Sequence, residues 1–183
     1  MTAATESEKL EKAHLSWPGE IYNVLRNLEV TIAAYVPDGG HAELIQRLHD
    51  DPAVTAVPLT TEEEGVALVS GAWMGGKRGV LLMQSSGVGN CVNMLSLVKI
   101  CRFPLLTLVT MRGEWGEFNP WQVPMGSATQ EALEIMDVKV FRTSVPSDVA
   151  PTVEAAGQMA FLGGTPAAVL LSQRLIGAKV FAK

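Results

Sequence analysis

The sequence predicts an α/β fold: a doubly wound, mostly parallel six-stranded sheet with helices on both faces. Six short runs are rich in aliphatic and β-branched residues, and helical patterns separate them. Most of these runs are continuously apolar, as in strands of a parallel sheet that is covered on both faces. The 183 residues are 48% hydrophobic and 18% charged, which is typical of one globular domain. Strand, helix, strand in succession predicts right-handed crossovers around this sheet.

The six predicted strands share this apolar character and lie between turn-forming residues. In chain order they are residues 31–36, 54–59, 79–84, 105–110, 138–143 and 167–172. The predicted helices are residues 17–28, 61–74, 128–136 and 149–161. The first follows a capping serine, and the second opens with three glutamates that favour the positive end of the helix dipole. We expect residues 1–15 to form a flexible tail and residues 16–183 to form a single domain.

Composition excludes several classes of protein. With 19 acidic and 14 basic residues the chain has a net charge of −5, which argues against nucleic acid as a partner. No apolar run reaches the roughly 20 residues of a membrane span, and the polar start is unlike a signal segment, so we expect a cytoplasmic protein without membrane contact. Cys91 and Cys101 lack metal or redox spacing. Because HExxH, GxSxG and CxxC motifs are absent from the sequence, a cofactor or partner must supply much of any catalysis.

In a doubly wound sheet, ligands bind at the loops that follow the carboxyl ends of the strands. After the first strand, a proline and two glycines predict a turn with His41 just beyond it, which reads either as a solvated helix start or as a site residue. After the second come Glu62, Glu63 and Glu64, which can serve as dipole partners or in chemistry. After the third strand, QSSGVGNCVN predicts a glycine-rich loop that precedes a helix. This loop does not match a phosphate-binding loop. A long loop that begins at Arg112 follows the fourth.

Together, and in this order, four segments resemble the pyrimidine-binding domain of thiamine diphosphate-dependent 2-oxoacid decarboxylases. They are VPD at 36–38, the E-x8-G pattern at 62–71, QSSGVGNCVN at 84–93, and RGEWGE with QVPMG within 112–126. The resemblance covers residues 21–171 and is closest to sulfopyruvate decarboxylase alpha subunits and phosphonopyruvate decarboxylase. Family members usually have QNSGLGN, so Ser85 and Val88 are departures.

The resemblance implies a catalytic role for Glu62. In this class a glutamate at the matching position hydrogen-bonds the aminopyrimidine ring and so promotes loss of the proton from the thiazolium C2. Counting back from Gly71 selects Glu62 over its two neighbours, which we expect to face solvent or a partner. The resemblance also implies a set of cofactor contacts around this glutamate: Pro37, Asp38, Gly39, Glu62, Ser86, Gly87 and Gly89.

Three further residues are candidates for the reaction. Arg112 offers a guanidinium fork to the second anionic group of a substrate, or instead pairs with Glu114 or Glu117 to shape its loop. Asn90, predicted at a helix start, is a candidate donor to the substrate carboxylate. His41 is a candidate proton relay. On this hypothesis Asn90→Ala and His41→Ala lower turnover without unfolding the protein.

A second half of the active site is missing from the chain. Enzymes of this class hold the cofactor diphosphate through Mg²⁺ in another domain marked by a GDG motif, which this sequence lacks. We therefore expect no metal ligand here and a separate beta subunit in a hetero-oligomer. The implied function is the alpha subunit of a decarboxylase of a small anionic 2-oxoacid. Sulfopyruvate is the first choice, and phosphonopyruvate or a carboligase reaction is the enzymatic alternative. A non-catalytic ligand-binding or regulatory module is the other alternative.

Overall fold

The computed structural model describes residues 16–178 and shows a six-stranded sheet in the order β2-β1-β3-β4-β6-β5, with every neighbouring pair parallel. The strands are β1 Val30–Tyr35, β2 Thr55–Pro58, β3 Arg78–Gln84, β4 Leu106–Thr110, β5 Lys139–Thr143 and β6 Ala167–Leu171. Each lies within one residue of its predicted bounds, so the predicted fold class is confirmed. The predicted tail at residues 1–15 lies outside the described residues.

Helices cover both faces of the sheet. They are α1 Trp17–Asn27, α2 Ala42–Asp50, α3 Glu62–Met74, α4 Ser85–Cys91, α5 Leu95–Cys101, α6 Val123–Glu134, α7 Pro146–Phe161 and α8 Gln173–Ile176, with a 3₁₀ turn at Pro120–Gln122. Val80 and Leu82 of β3 pack with α1, α2 and α7, whereas Leu81 and Met83 pack with α3, α4, α5 and α6. All four side chains are fully buried or nearly so. This double coverage explains why the strands read as continuous apolar runs.

Two predicted helices begin earlier than expected because proline fits the first turn of a helix. Pro124 lies in the first turn of α6, which begins at Val123 rather than at residue 128. Pro146 opens α7, three residues before the predicted start. No helix in the described range 16–178 is long and apolar enough to cross a membrane.

The sequence predicted a loop for the glycine-rich segment after β3, but this segment forms helix α4. Val88 and Cys91 are buried against the sheet, and this burial outweighs the weak helix propensity of glycine and serine. Burial raises the pKa of the Cys91 thiol to about 12, so this cysteine is a core residue. Asn90 consequently lies near the end of a helix and not at its start.

The strand order creates a crevice at one edge of the sheet. From β1 the chain passes outward to β2 and then returns to the other side of β1 as β3. The connections that leave β1 and β3 therefore diverge, and such a switch point is where doubly wound sheets bind ligands. Residues 36–41 and the start of α4 meet at this point.

Candidate active site at the carboxyl edge of the sheet

Glu62 is the buried carboxylate of the switch point. It is the first residue of α3 and is 8% exposed, whereas Glu63 and Glu64 are exposed. Asn90 donates a hydrogen bond from Nδ2 to Glu62 Oε2 at 2.8 Å. Gly87, three residues earlier in the same helix as Asn90, leaves just enough room for the carboxylate, because a Cβ there would lie 2.4 Å from the carboxyl carbon of Glu62. Of the three glutamates, Glu62 is thus the buried one, and its catalytic role stays a prediction.

A small cavity of about 120 Å³ opens beside this carboxylate. Its lining consists of Val36, Pro37, Asp38, Glu62, Gln84 and Ser86. Four predicted cofactor contacts thus share one cavity, although they come from three separate segments of the chain. Of the other three, Gly87 backs Glu62, Gly89 packs against Met125 in an adjoining hollow, and Gly39 is exposed in the turn after β1.

Asp38 is held by three donors from different parts of the sheet edge. Its Oδ1 accepts from Gln84 Nε2 at 3.0 Å, and its Oδ2 accepts from Thr110 Oγ1 at 2.5 Å and from the Gly40 N–H at 3.2 Å. Burial alone would raise the pKa of Asp38. The positive charge that His41 gains at low pH and these three hydrogen bonds outweigh burial and lower the pKa. Asp38 therefore stays ionised and fixes the turn that borders the cavity.

Gln84 and Thr110 are site residues that the sequence reasoning missed. Gln84 joins two predicted contacts, because its Nε2 donates to Asp38 and its Oε1 accepts from Ser86 Oγ at 3.1 Å. The available signal was position, since both residues end apolar strands at the ligand-binding edge.

His41 is buried, so its interpretation as a solvated helix-start residue is wrong. Its side chain is 1% exposed, and Nε2 lies 3.1 Å from the carbonyl oxygen of Leu108. Burial lowers the pKa of His41, which favours a neutral ring that donates from Nε2. Within residues 16–178, Nδ1 has no hydrogen-bond partner. The proposed proton relay remains a prediction. His41 is not among the residues that line the cavity, but its backbone N–H donates to the carbonyl oxygen of Asp38, which does line it.

Arg112 forms the ion pair with Glu117 that the sequence left open as an alternative. Its Nε and one terminal nitrogen donate to the two Glu117 oxygens at 2.6 and 2.7 Å, and both side chains are at least nine-tenths buried. The Arg112 hydrogen bonds lower the pKa of Glu117 to about 2. Gln173 binds Glu117 and also accepts from the N–H groups of Glu114 and Trp115. This guanidinium is thus committed to its own loop, and its contact with substrate stays a prediction.

A larger hollow of about 820 Å³ adjoins the Glu62 cavity. Its lining consists of Ser86, Gly89, Asn90, Pro120, Trp121, Pro124 and Met125. Ser86 lines both spaces, so the two lie next to each other. Trp121 is 82% exposed at the rim of the larger hollow and presents a large apolar side chain to solvent there.

A doubly wound domain with a buried carboxylate at its switch point has the architecture of the ligand-binding domain of an α/β enzyme. A similar fold occurs in a 2-oxoglutarate:ferredoxin oxidoreductase from Magnetococcus marinus, solved with 2-oxoglutarate, coenzyme A and succinyl-CoA bound. The TM-score is 0.68 at 12% identity, and the match covers 88% of this chain and 29% of that one. At this identity the likeness shows the fold alone.

Sequence relatives define the family. The chain is 32% identical over 152 residues to the sulfopyruvate decarboxylase alpha subunit of Methanococcus maripaludis, covering 82% of this chain and 91% of the relative. It is 39% identical over 140 residues to that of Methanothermobacter thermautotrophicus, covering 76% and 83%. Phosphonopyruvate decarboxylase of Streptomyces viridochromogenes is 38% identical over 117 residues, but the match covers 63% of this chain and 30% of that protein. No protein-family model matches the chain. This chain belongs to the sulfopyruvate decarboxylase alpha subunit family, and the resemblance found in its motifs is confirmed.

Proposed function

We propose that this chain is the alpha subunit of a heteromeric, thiamine diphosphate-dependent decarboxylase that converts sulfopyruvate to sulfoacetaldehyde and CO₂. The observation that carries this proposal is the buried Glu62 carboxylate, set in a cavity with Pro37, Asp38 and Ser86 at the switch point of the sheet. Relatives that align with most of the chain are named sulfopyruvate decarboxylase subunit alpha.

The residues present fit the pyrimidine half of the cofactor. An aminopyrimidine needs a carboxylate partner for its ring nitrogen and a flat wall beside it. Glu62 offers the carboxylate. Gly87 has no side chain, so the backbone of α4 lies in close contact with this carboxylate and offers the wall. When bound, thiamine diphosphate supplies the electron sink for loss of CO₂.

The chain's own residues bind and orient the pyrimidine half of the cofactor. Glu62 holds or receives a proton at Oε1, and burial of its carboxylate strengthens this hydrogen bond. The Asp38 network fixes the turn on one side of the cavity, and Gln84 extends it to Ser86. Trp121 and Met125 border the outer hollow with apolar surface, which favours exclusion of water once a partner covers it.

A partner completes the site. The cofactor diphosphate and Mg²⁺ have no matching motif in this sequence, so we assign them to a beta subunit that covers the hollow near Trp121. Assembly in the cytoplasm is consistent with the composition of the chain. Purification from lysate with thiamine diphosphate and Mg²⁺, followed by mass spectrometry, tests this. A stoichiometric partner with a GDG motif is expected, whereas recovery as a homo-oligomer without cofactor would favour a non-catalytic module.

Glu62→Gln tests the chemistry in the complex with its partner. We expect turnover of sulfopyruvate to fall by about 10²–10⁴-fold while partner binding persists, because the amide cannot exchange a proton with the ring. Glu63→Gln is the matched control, since it removes the same charge from the exposed neighbour. Full activity of Glu62→Gln would refute the proposal. Phosphonopyruvate, suggested by the Streptomyces relative, is assayed in parallel, and a higher kcat/KM for it would reassign the substrate.

A further inference from the structure

The two oxygens of the Glu62 carboxylate have different surroundings. Oε2 accepts the hydrogen bond from Asn90 Nδ2 at 2.8 Å. Oε1 lies against Gly87, where a Cβ would approach it to 2.4 Å. Within the part of the chain that the structure describes, no donor binds Oε1. One oxygen is therefore fixed by the protein, and the other is left for a ligand.

Asn90 reaches Glu62 from a different helix. Glu62 begins α3, and Asn90 lies in the last turn of α4, 28 residues further along the chain. A glutamate side chain has three rotatable bonds, so burial alone does not fix the direction of its carboxylate. A second attachment point on a neighbouring helix does fix it. The hydrogen bond is also charge-assisted, which makes it stronger than one between neutral groups.

From this geometry we propose that Asn90 is a positioning residue for Glu62. It holds the carboxylate by Oε2 so that Oε1 faces the cavity and the ring nitrogen of the pyrimidine. This inference rests on the proposed function and changes the role of Asn90 from the substrate contact that the sequence suggested. The second N–H of the Asn90 amide is not used by Glu62, so the two roles must be separated by experiment.

The decisive measurement is the rate at which the bound cofactor exchanges its C2 proton for deuterium in the assembled complex without substrate. Acid quench and proton NMR give this rate, and it depends on Glu62 but not on substrate binding. We expect Asn90→Ala to slow exchange by about 10- to 100-fold, as a misaligned catalytic group does, with KM for sulfopyruvate unchanged. Asn90→Asp keeps the shape, removes the donor and adds a like charge, so we expect it to be slower still.

Asn93→Ala is the matched control, because Asn93 is an exposed asparagine just beyond the same helix. A raised KM with normal exchange in Asn90→Ala would overturn the inference in favour of the substrate-contact role. If the unmodified complex exchanged C2 no faster than free thiamine diphosphate, the proposed function itself would fail, and the inference with it.

A second readout needs no cofactor. In the full chain, the side-chain amide protons of Asn90 are followed by nitrogen-edited NMR. We expect the proton that bonds Glu62 to shift upfield in Glu62→Ala, since the charged acceptor is lost. An unchanged resonance would show that the hydrogen bond is absent in solution and would overturn the inference.

Discussion

Gly87→Ala is the sharpest steric perturbation of the site. The added Cβ would lie 2.4 Å from both the carboxyl carbon and Oε1 of Glu62, whereas ordinary contact begins at 3.4 Å. The carboxylate or its helix must therefore move by about 1 Å, and a misplacement of that size can reduce turnover by about 100-fold. Overpacking of this kind also lowers the free energy of unfolding by about 1–3 kcal/mol.

Steady-state decarboxylation by the assembled complex and urea unfolding of the chain measure the two effects separately. Gly75→Ala is the control, because Gly75 lies at the far end of α3 and its added Cβ would meet nothing nearer than 3.4 Å. We expect that variant to keep its activity. Wild-type turnover in Gly87→Ala would refute the reasoning, since it would mean that the position of the Glu62 carboxylate does not limit the reaction.

Four other predictions concern the surroundings of the site. Glu117→Gln should lower the free energy of unfolding by roughly 3–5 kcal/mol, because it leaves the buried Arg112 charge unpaired, and an unchanged urea midpoint would contradict this. In the unmodified chain the stability from Glu117 is present above its ordinary pKa of 4.5 and is lost as pH falls towards about 2, which acid titration followed by circular dichroism can detect. The lowered pKa of His41 means that the folded state resists protonation, so stability should decline as pH falls below 6.5; in His41→Gln this segment of the pH profile should be flatter. Trp121→Ala should leave thermal unfolding of the chain unchanged but weaken beta-subunit binding by about 2–4 kcal/mol in calorimetry, and equal affinity would place the interface elsewhere.

The strands could be predicted to within one residue because helices cover both faces of the sheet and leave no polar alternation to misread. Helix α4 could not, because its glycines and serines indicate a loop, and only burial of Val88 and Cys91 makes the segment helical. Local propensity is a weak guide where tertiary packing decides.

The site residues likewise include some that the sequence could predict and some that it could not. Glu62 was identified by motif spacing, and its burial agrees with that assignment. One of the two interpretations of His41, a solvated residue at a helix start, is wrong. The sequence could not show this, because the hydrogen-bond acceptor of His41, the Leu108 carbonyl, lies 67 residues away. The pairing of Arg112 with Glu117 was foreseen as one of two options, and only the fold of the loop selects it.

Hydrogen bonds hold the loop after β4 in place, and this has a consequence for assembly kinetics. Glu117 and Gln173 bind the backbone and side chains of this loop within the isolated chain, and Trp121 is exposed just after it. The entropy of ordering the loop is thus lost during folding of the monomer and not during encounter with another subunit. Association through this surface should behave as rigid docking, with a rate set by diffusion and orientation rather than by a slow conformational step.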